Sequence, residues 1–244
     1  MDDTEQFAAD RVRNIRTLGQ QPALRALANR FVRETGHDQY TYHFDWLGLP
    51  IIQLPQDIVA IQEIIWRTKP DIIIETGIAR GGSLILSASM LHLLNGSGKV
   101  IGIDIDIRAH NRAAIEAHPL ASRVHMLEGS SIDPAIVTQA QAMIPANSRV
   151  MVILDSNHTH DHVLRELELY APLVTQGCYL LVMDTSIDDM PADYFPNRPW
   201  GVGNNPKTAV HAFLPTTDRF AIDHTIHDKL LITVAHDGYL LCVK

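Results

Sequence analysis

The chain has 244 residues, 46% hydrophobic and 20% charged, with a net charge of −8. That length accommodates one large α/β core without a second. The acidity, with Lys and Arg scattered along the chain, excludes the basic patch of a nucleic-acid binder. No apolar run reaches the roughly 18 residues of a membrane helix, and the acidic opening MDDTEQFAAD is not a signal peptide, so neither membrane nor nucleic acid is expected as a partner. Cys178 and Cys242 sit in apolar strand-like runs and read as buried free thiols, in keeping with a reducing, cytoplasmic compartment.

Residues 1–56 read as an N-terminal extension, helical in DRVRNIRTLG and QPALRALANRFVRETG and irregular around YTYHFDWLGLP. Its expected role is to close over a site or to make the contact of a homo-oligomer. Residues 57–244 read as one regular domain. DIVAIQEIIWRTK has helical apolar spacing. Strands are expected at 71–75 (DIIIE), 99–104 (KVIGID), 123–128 (RVHMLE), 149–155 (RVMVILD) and 177–184 (GCYLLVMD), with helices in LILSASMLHLL, IRAHNRAAIEAH, DPAIVTQAQAMI and HDHVLRELELYAPL between them. Such alternation predicts a doubly wound, Rossmann-like parallel sheet covered on both faces. Residues 185–206 break the rhythm with a Pro-, Asp- and Asn-rich loop, and loops of that length without regular structure are often functional. A helix, KTAVHAFLP, follows. KLLITVA and GYLLCVK are then expected to form an antiparallel C-terminal hairpin turning at Asp237–Gly238.

Open parallel sheets bind ligands at the carboxyl ends of their strands. The first strand ends in Glu75-Thr76-Gly77, followed by Arg80-Gly81-Gly82-Ser83, where glycines let the backbone approach a ligand and a helix N-terminus offers free N–H groups. The second ends in Asp104, placed to accept bonds from ribose hydroxyls, with Ile105 and Asp106 after it. The third ends in Glu128-Gly129-Ser130-Ser131, small residues able to lie along an adenine. Taken singly, each is equally a tight turn or a strand-end cap.

The fourth strand runs into ILDSNHTHDH, which places Asp155, His158, His160, Asp161 and His162 together. A zinc site is disfavoured, because no cysteine joins in and the spacing matches no common structural motif. His160 and His162 read as the hydrated N-terminus of the next helix.

The segments IIIETGIARGGSLILSA, GKVIGIDIDIR, LEGSSID, LDSNHTHDHVLRELELYAPLVTQGCYLLVMDT and RPWGVGNNPKTAVHAFL resemble the cephalosporin hydroxylase family, which includes rhamnosyl O-methyltransferases, over about residues 46–244. The resemblance implies a class I S-adenosylmethionine-dependent methyltransferase, acting on a sugar, nucleotide sugar or glycoside with a divalent metal, usually Mg²⁺. It places Glu75, Gly77 and Gly81 at the methionine end of the cofactor, Asp104 at the ribose and Ser130 and Ser131 beside the adenine. Thr76, Arg80, Ser83, Ile105, Gly129 and Asp155 complete the cofactor cleft. It makes Asp155 and Asp184 metal ligands and His158 the catalytic base. Relatives often carry an acidic pair where this chain has Met183-Asp184, and a thioether is a poor ligand for a hard cation. The missing carboxylate would have to come from Asp188 or Asp189.

Trp46, Tyr194 and Trp200 are expected around the acceptor, and loop 185–206 is the expected lid, with Gly201 and Gly203 permitting movement. Arg80 and Arg198 would meet an anionic substrate group. Two other readings stand beside O-methylation. A hydroxylase would require two histidines and a carboxylate around one iron. A non-catalytic, cofactor-binding accessory protein would require no base at all.

Overall fold

A computed structural model describes residues 2–244. Two helices open the chain, α1 (Asp3–Gly19) and α2 (Pro22–Gly36). Asp2 and Glu5 form a reciprocal capping box on α1, and Pro22 starts α2. Where the sequence reads as irregular there is a tight hairpin, β1 (Phe44–Trp46) against β2 (Leu49–Ile51). Its turn residues, Leu47 and Gly48, both have positive φ (48° and 90°), the type I′ geometry that matches the twist of two strands. The helix α3 (Pro55–Thr68) then stops at Lys69, which is left-handed and precedes Pro70.

The doubly wound core follows as β3 (Ile72–Thr76), α4 (Gly82–Leu93), β4 (Lys99–Asp104), α5 (Ala109–Glu116), β5 (Val124–Glu128), α6 (Pro134–Ala142), β6 (Val150–Leu154), α7 (His160–Tyr170) and β7 (Tyr179–Val182). Every residue of β3, β6 and β7 is buried, as expected for β-branched and leucine runs covered on both faces. Each of Ile73, Ile74, Val152 and Ile153 contributes about 1.5–3 kcal/mol relative to an exposed side chain. Leu84, Ile85, Leu86, Met90 and Leu91 are all buried, because α4 is enclosed by β4 and β5 as well as α3 and the β1–β2 hairpin.

The sheet order is β5-β4-β3-β6-β7-β9-β8, where β8 is Phe220–Ile222 and β9 is Tyr239–Cys242. β9 inserts antiparallel between β7 and β8, so the expected antiparallel C-terminal pair is present. Its members differ from expectation. β9 pairs with Phe220–Ile222, not with KLLITVA. Lys229 and Leu230 end helix α9 (His224–Leu230), and the segment after it is irregular. The physical reason is Asp57, fully buried on α3, whose carboxylate accepts from the Val234 amide at 3.0 Å, the Tyr239 hydroxyl at 2.6 Å and the Thr233 hydroxyl. A buried carboxylate must be satisfied, and it takes the Val234 N–H that a strand would use in its ladder.

The chain leaves β3 toward β4 and β5, then returns to β6 on the opposite side. The ends of β3 and β6 therefore flank the topological switch point, where such sheets bind ligands. Here the Asp155 amide donates to the Thr76 carbonyl at 2.9 Å.

Candidate functional site

Gly77, immediately after β3, has φ +90°, and a Cβ there would lie 2.1 Å from the carbonyl oxygen of Asp155. Only glycine lets the β3 and β6 ends close to this distance. Gly82 does the same at the start of α4, where a Cβ would meet the Pro50 carbonyl at 2.3 Å. Those two contacts pull the Gly-rich turn between Asp155 on one side and the β1–β2 hairpin on the other.

Glu75 is 1% exposed. The Ser83 hydroxyl donates to its Oε1, and its buried Oε2 has no partner. Burial pushes this carboxyl up to about 7, with the Ser83 hydrogen bond acting in the opposite direction. Asp104 is committed to backbone: Oδ2 accepts from Ile78 N at 2.8 Å and Ala79 N at 3.3 Å, and Oδ1 from Asp106 N at 3.1 Å. It thereby fixes the Gly-rich turn against the end of β4. Beside it Ile105 is 74% exposed, an apolar face on the strand-end surface. Gly129 and Ser130 are half-buried and Ser131 is buried. Arg80 is exposed at the tip of the turn. Thr76 is fully buried in β3, and its hydroxyl oxygen accepts from the Asp155 amide at 3.4 Å.

Asp155, His158 and Asp184 converge, with one donor atom from each lying within 4.8 Å of the others. His158 Nε2 is 3.3 Å from Asp184 Oδ2. Asp184 holds its place in a left-handed conformation (φ 55°), as the cap residue immediately before the turn Thr185–Asp189. Burial raises the Asp155 carboxyl well above the usual carboxylate range, and the charges of Asp184 and Glu75 add to it. Two carboxylates and one imidazole form this group, the reverse of the two histidines and one carboxylate that the hydroxylase reading requires.

Asp189 does not join them. Burial opposes its ionisation, but hydrogen bonds from His236 (2.6 Å) and Lys207 (2.7 Å) outweigh burial and hold its carboxyl at about 2. Asp188 is likewise taken, accepting from Asn205 Nδ2 at 2.6 Å and Gly203 N at 2.9 Å. Neither adds a carboxylate beside Met183, which is buried and lines the cavity next to Asp184.

That cavity, about 440 Å³, opens above the three converging side chains and is of a size to hold a sugar-sized acceptor. Its walls come from α2 and the following turn (Val32, Tyr40, Tyr42) and from the 185–206 loop (Met190, Tyr194, Phe195, Arg198, Trp200). Residues of the N-terminal segment therefore contribute to the wall of the cavity. Trp200 packs edge-on against His158, with centroids 4.8 Å apart, and Arg198 lies over the Trp200 ring. Trp46 is elsewhere: its indole N–H donates to Ser89 on α4 at 3.1 Å. The expected lid is tied down, since the Tyr194 hydroxyl donates to the Arg33 carbonyl at 2.8 Å and Asn204 Oδ1 accepts from His160 N at 2.9 Å.

His160 and His162 are not a hydrated surface. His160 Nδ1 is 2.8 Å from Thr208 Oγ1 on α8 (Pro206–Phe213), and His162 Nε2 is 3.0 Å from Ser131 Oγ. Both reach partners distant in sequence. Gln53, 3% exposed with an unpartnered Oε1, lines this cavity and a narrow 30 Å³ recess beneath the Gly-rich turn. Nothing in the sequence around Gln53 marks it.

The sequence profile of the family described as rhamnosyl O-methyltransferase/CmcI matches residues 38–243. The chain belongs to that family. The rhamnosyl O-methyltransferase of Mycobacterium tuberculosis (strain H37Rv) is 32% identical over 222 residues, covering 86% of this chain and 84% of the relative. That of Mycobacterium leprae is 31% identical over 147 residues, covering 60% and 62%. Among solved structures, an apo form of CmcI superposes with a TM-score of 0.59 at 18% identity, covering 83% of this chain and 77% of CmcI. The O-methyltransferase TomG from Streptomyces achromogenes superposes with a TM-score of 0.54 at 15% identity, covering both chains fully. These likenesses establish the methyltransferase fold. Family and fold together make the chain an S-adenosylmethionine-dependent O-methyltransferase, and the hydroxylase and accessory readings give way to it. Among the described residues no helix is long and apolar enough to cross a membrane.

Proposed function

We propose that this chain methylates a hydroxyl of a sugar or glycosylated small molecule, with His158 as general base and a divalent cation held by Asp155 and Asp184. The observation that carries this reading is the convergence of those three side chains on the floor of the 440 Å³ cavity, next to the Gly-rich turn. The curated relatives, named rhamnosyl O-methyltransferases, support a glycoside acceptor. A CmcI structure described as a complex with Mg and SAM supports the cation.

The residues present fit both groups. Glu75 Oε2, buried and unpartnered, is an acceptor for a cationic group, and the glycine cradle admits a close backbone contact. The exposed Ile105 offers an apolar face to a flat base. Two carboxylate oxygens suit a hard cation that keeps several waters. When bound, S-adenosylmethionine supplies an electrophilic methyl on a sulfonium, and the cation supplies positive charge beside the acceptor oxygen. The chain does the rest. The aromatic walls orient the acceptor and exclude water, which accounts for much of the acceleration. His158 takes the hydroxyl proton, and Asp184, 3.3 Å away, stabilises the imidazolium that results.

A second version of the same chemistry is favoured by Met183. With one carboxylate fewer, the His158–Asp184 pair would act as a metal-independent dyad. Calorimetry with S-adenosylhomocysteine, followed by methyl-transfer assays on a glycoside panel with Mg²⁺ or EDTA, tests both. Transfer that requires Mg²⁺ supports the cation, and transfer unaffected by EDTA supports the dyad. Absence of cofactor binding would refute the proposal.

A further inference from the structure

Three polar side chains occupy a stripe of α7 at i, i+4 and i+8: His162, Glu166 and Tyr170. Glu166 and Tyr170 are fully buried, and His162 is 19% exposed. Apolar residues fill such a stripe at far lower desolvation cost, as Val163 and Leu167 do beside it. The polar groups instead reach two strand-end loops. His162 Nε2 lies 3.0 Å from Ser131 Oγ and 3.2 Å from Ser156 Oγ. Ser156 Oγ donates to Glu166 Oε1 at 2.7 Å, and the Tyr170 hydroxyl donates to the Ser131 carbonyl at 2.7 Å. Glu166 Oε1 is also 3.6 Å from the imidazole, while its buried Oε2 has no partner.

The topology gives this cluster its meaning. Ser131 follows β5 and Ser156 follows β6, and β4 and β3 lie between those strands. At the usual spacing the strands are about 14 Å apart, yet one imidazole nitrogen contacts the loops of both. The β5 loop must therefore arch toward the β6 loop, alongside the ends of β4 and β3. Those ends carry Asp104, Ile105 and Glu75.

We propose that His162, braced by Glu166, is a positioning residue for the adenosine half of S-adenosylmethionine, acting through Ser131 and Ser156. The inference rests on the cofactor reading above and adds a division within it. Glu75 and Gly77 serve the methionine half, and the α7 stripe shapes the wall that faces the adenosine. His162 touches no reacting atom, so its loss acts on cofactor affinity and not on the chemical step.

The test is calorimetric binding of S-adenosylhomocysteine and of 5′-methylthioadenosine, which keeps the adenosine and lacks the amino-acid end. Wild type is compared with His162→Ala, His162→Gln and Ser131→Ala, and kcat is measured at saturating cofactor. His162→Ala should weaken both ligands by a similar factor, about tenfold or more, as expected when a buried hydrogen-bond partner is removed. Its kcat should stay within about threefold of wild type, and His162→Gln, which keeps a donor, should recover most of the affinity. Ser131→Ala removes the same contact from the other side and provides the reading should His162→Ala fail to fold. Unchanged affinity in folded variants overturns the proposal, as does a fall in kcat without weaker binding, or a loss for S-adenosylhomocysteine alone. A wild-type chain that binds neither ligand overturns the cofactor reading and this inference together, and the two failures are thereby distinguishable.

Discussion

Replacing Glu75 by Gln tests the electrostatic account of the cofactor cleft through stability, without any acceptor substrate. Glu75 is 1% exposed, and its carboxyl is pushed from an ordinary 4.5 up to about 7, first by burial. Between those two values the folded chain retains a proton that the unfolded chain has released. Stability therefore falls as pH rises through that window, and the full penalty is present above pH 7. At about 1.4 kcal/mol for each tenfold change in proton activity, the window is worth about 3 kcal/mol. Gln carries no titrating group, so Glu75→Gln escapes the penalty. Its advantage over wild type in urea denaturation should grow from below about 1 kcal/mol at pH 5 to about 3 kcal/mol at pH 8. The same variant should bind S-adenosylhomocysteine more weakly at pH 8, because the orphaned Oε2 no longer carries charge toward the ammonium of the zwitterionic amino-acid end. Such opposition of stability and binding is what a strained functional carboxylate produces. Parallel stability curves for the two proteins across pH 5 to 8 would show that Glu75 ionises as freely in the fold as in water, and the reasoning fails.

Three further substitutions test the site. His158→Ala should lower kcat by about 10²–10⁴ with the affinity for S-adenosylhomocysteine unchanged; an effect confined to the acceptor KM would remove His158 from the base role. Gly77→Ala would drive a Cβ to 2.1 Å from the Asp155 carbonyl at a φ of +90°. The left-handed conformation alone costs about 1–2 kcal/mol, so thermal denaturation should show a lowered midpoint and kcat/KM should fall at least about a hundredfold; retention of full activity would mean that the two strand ends need not touch. Met183→Glu places a carboxylate next to Asp184 and should tighten Mg²⁺ binding by about tenfold, or about 1.4 kcal/mol. A calorimetric titration unaltered by that change would place the cation away from residue 183.

The parallel core was legible because its central strands β3 and β6 are fully buried runs rich in β-branched residues, and those have a local signature that does not depend on their partners. The positions of Asp155, His158 and Asp184 were legible for a related reason: strand order alone decides which residues stand at the carboxyl edge. The failures share a different cause. KLLITVA has the composition of a strand, but Asp57, 177 positions before Val234, claims that residue's amide. His160 and His162 read as surface because the groups that meet them, Thr208 on α8 and Ser131 after β5, come from distant parts of the chain. Asp189 is near Asp184 in sequence, yet the turn between them directs it toward His236 and Lys207. The β1–β2 hairpin was hidden because its turn is Leu47–Gly48, without the Asn-Gly or Asp-Gly pair that announces a type I′ turn.

The charges at the centre of the site explain why these residues act as one unit. Glu75, Asp155 and Asp184 end three strands, β3, β6 and β7, whose edges lie side by side. Asp155 feels both of the others, and its carboxyl is raised by burial and then by their charges. Any cation entering the cleft relieves the same repulsion, whether it is the sulfonium, the amino group at the methionine end, or a divalent ion on Asp155 and Asp184. Under the proposed metal site, cofactor and metal would be coupled through one field, each changing what the other gains on binding. A methionine at position 183 weakens that field by one negative charge relative to an acidic residue there, so more of the remaining repulsion can be relieved by the cofactor alone. In the proposed mechanism Asp184, 3.3 Å from His158, would supply the counter-charge when the acceptor proton arrives. The same carboxylate can therefore serve either as a metal ligand or as the base's counter-ion, and the dependence of transfer on Mg²⁺ measures how Asp184 divides between the two.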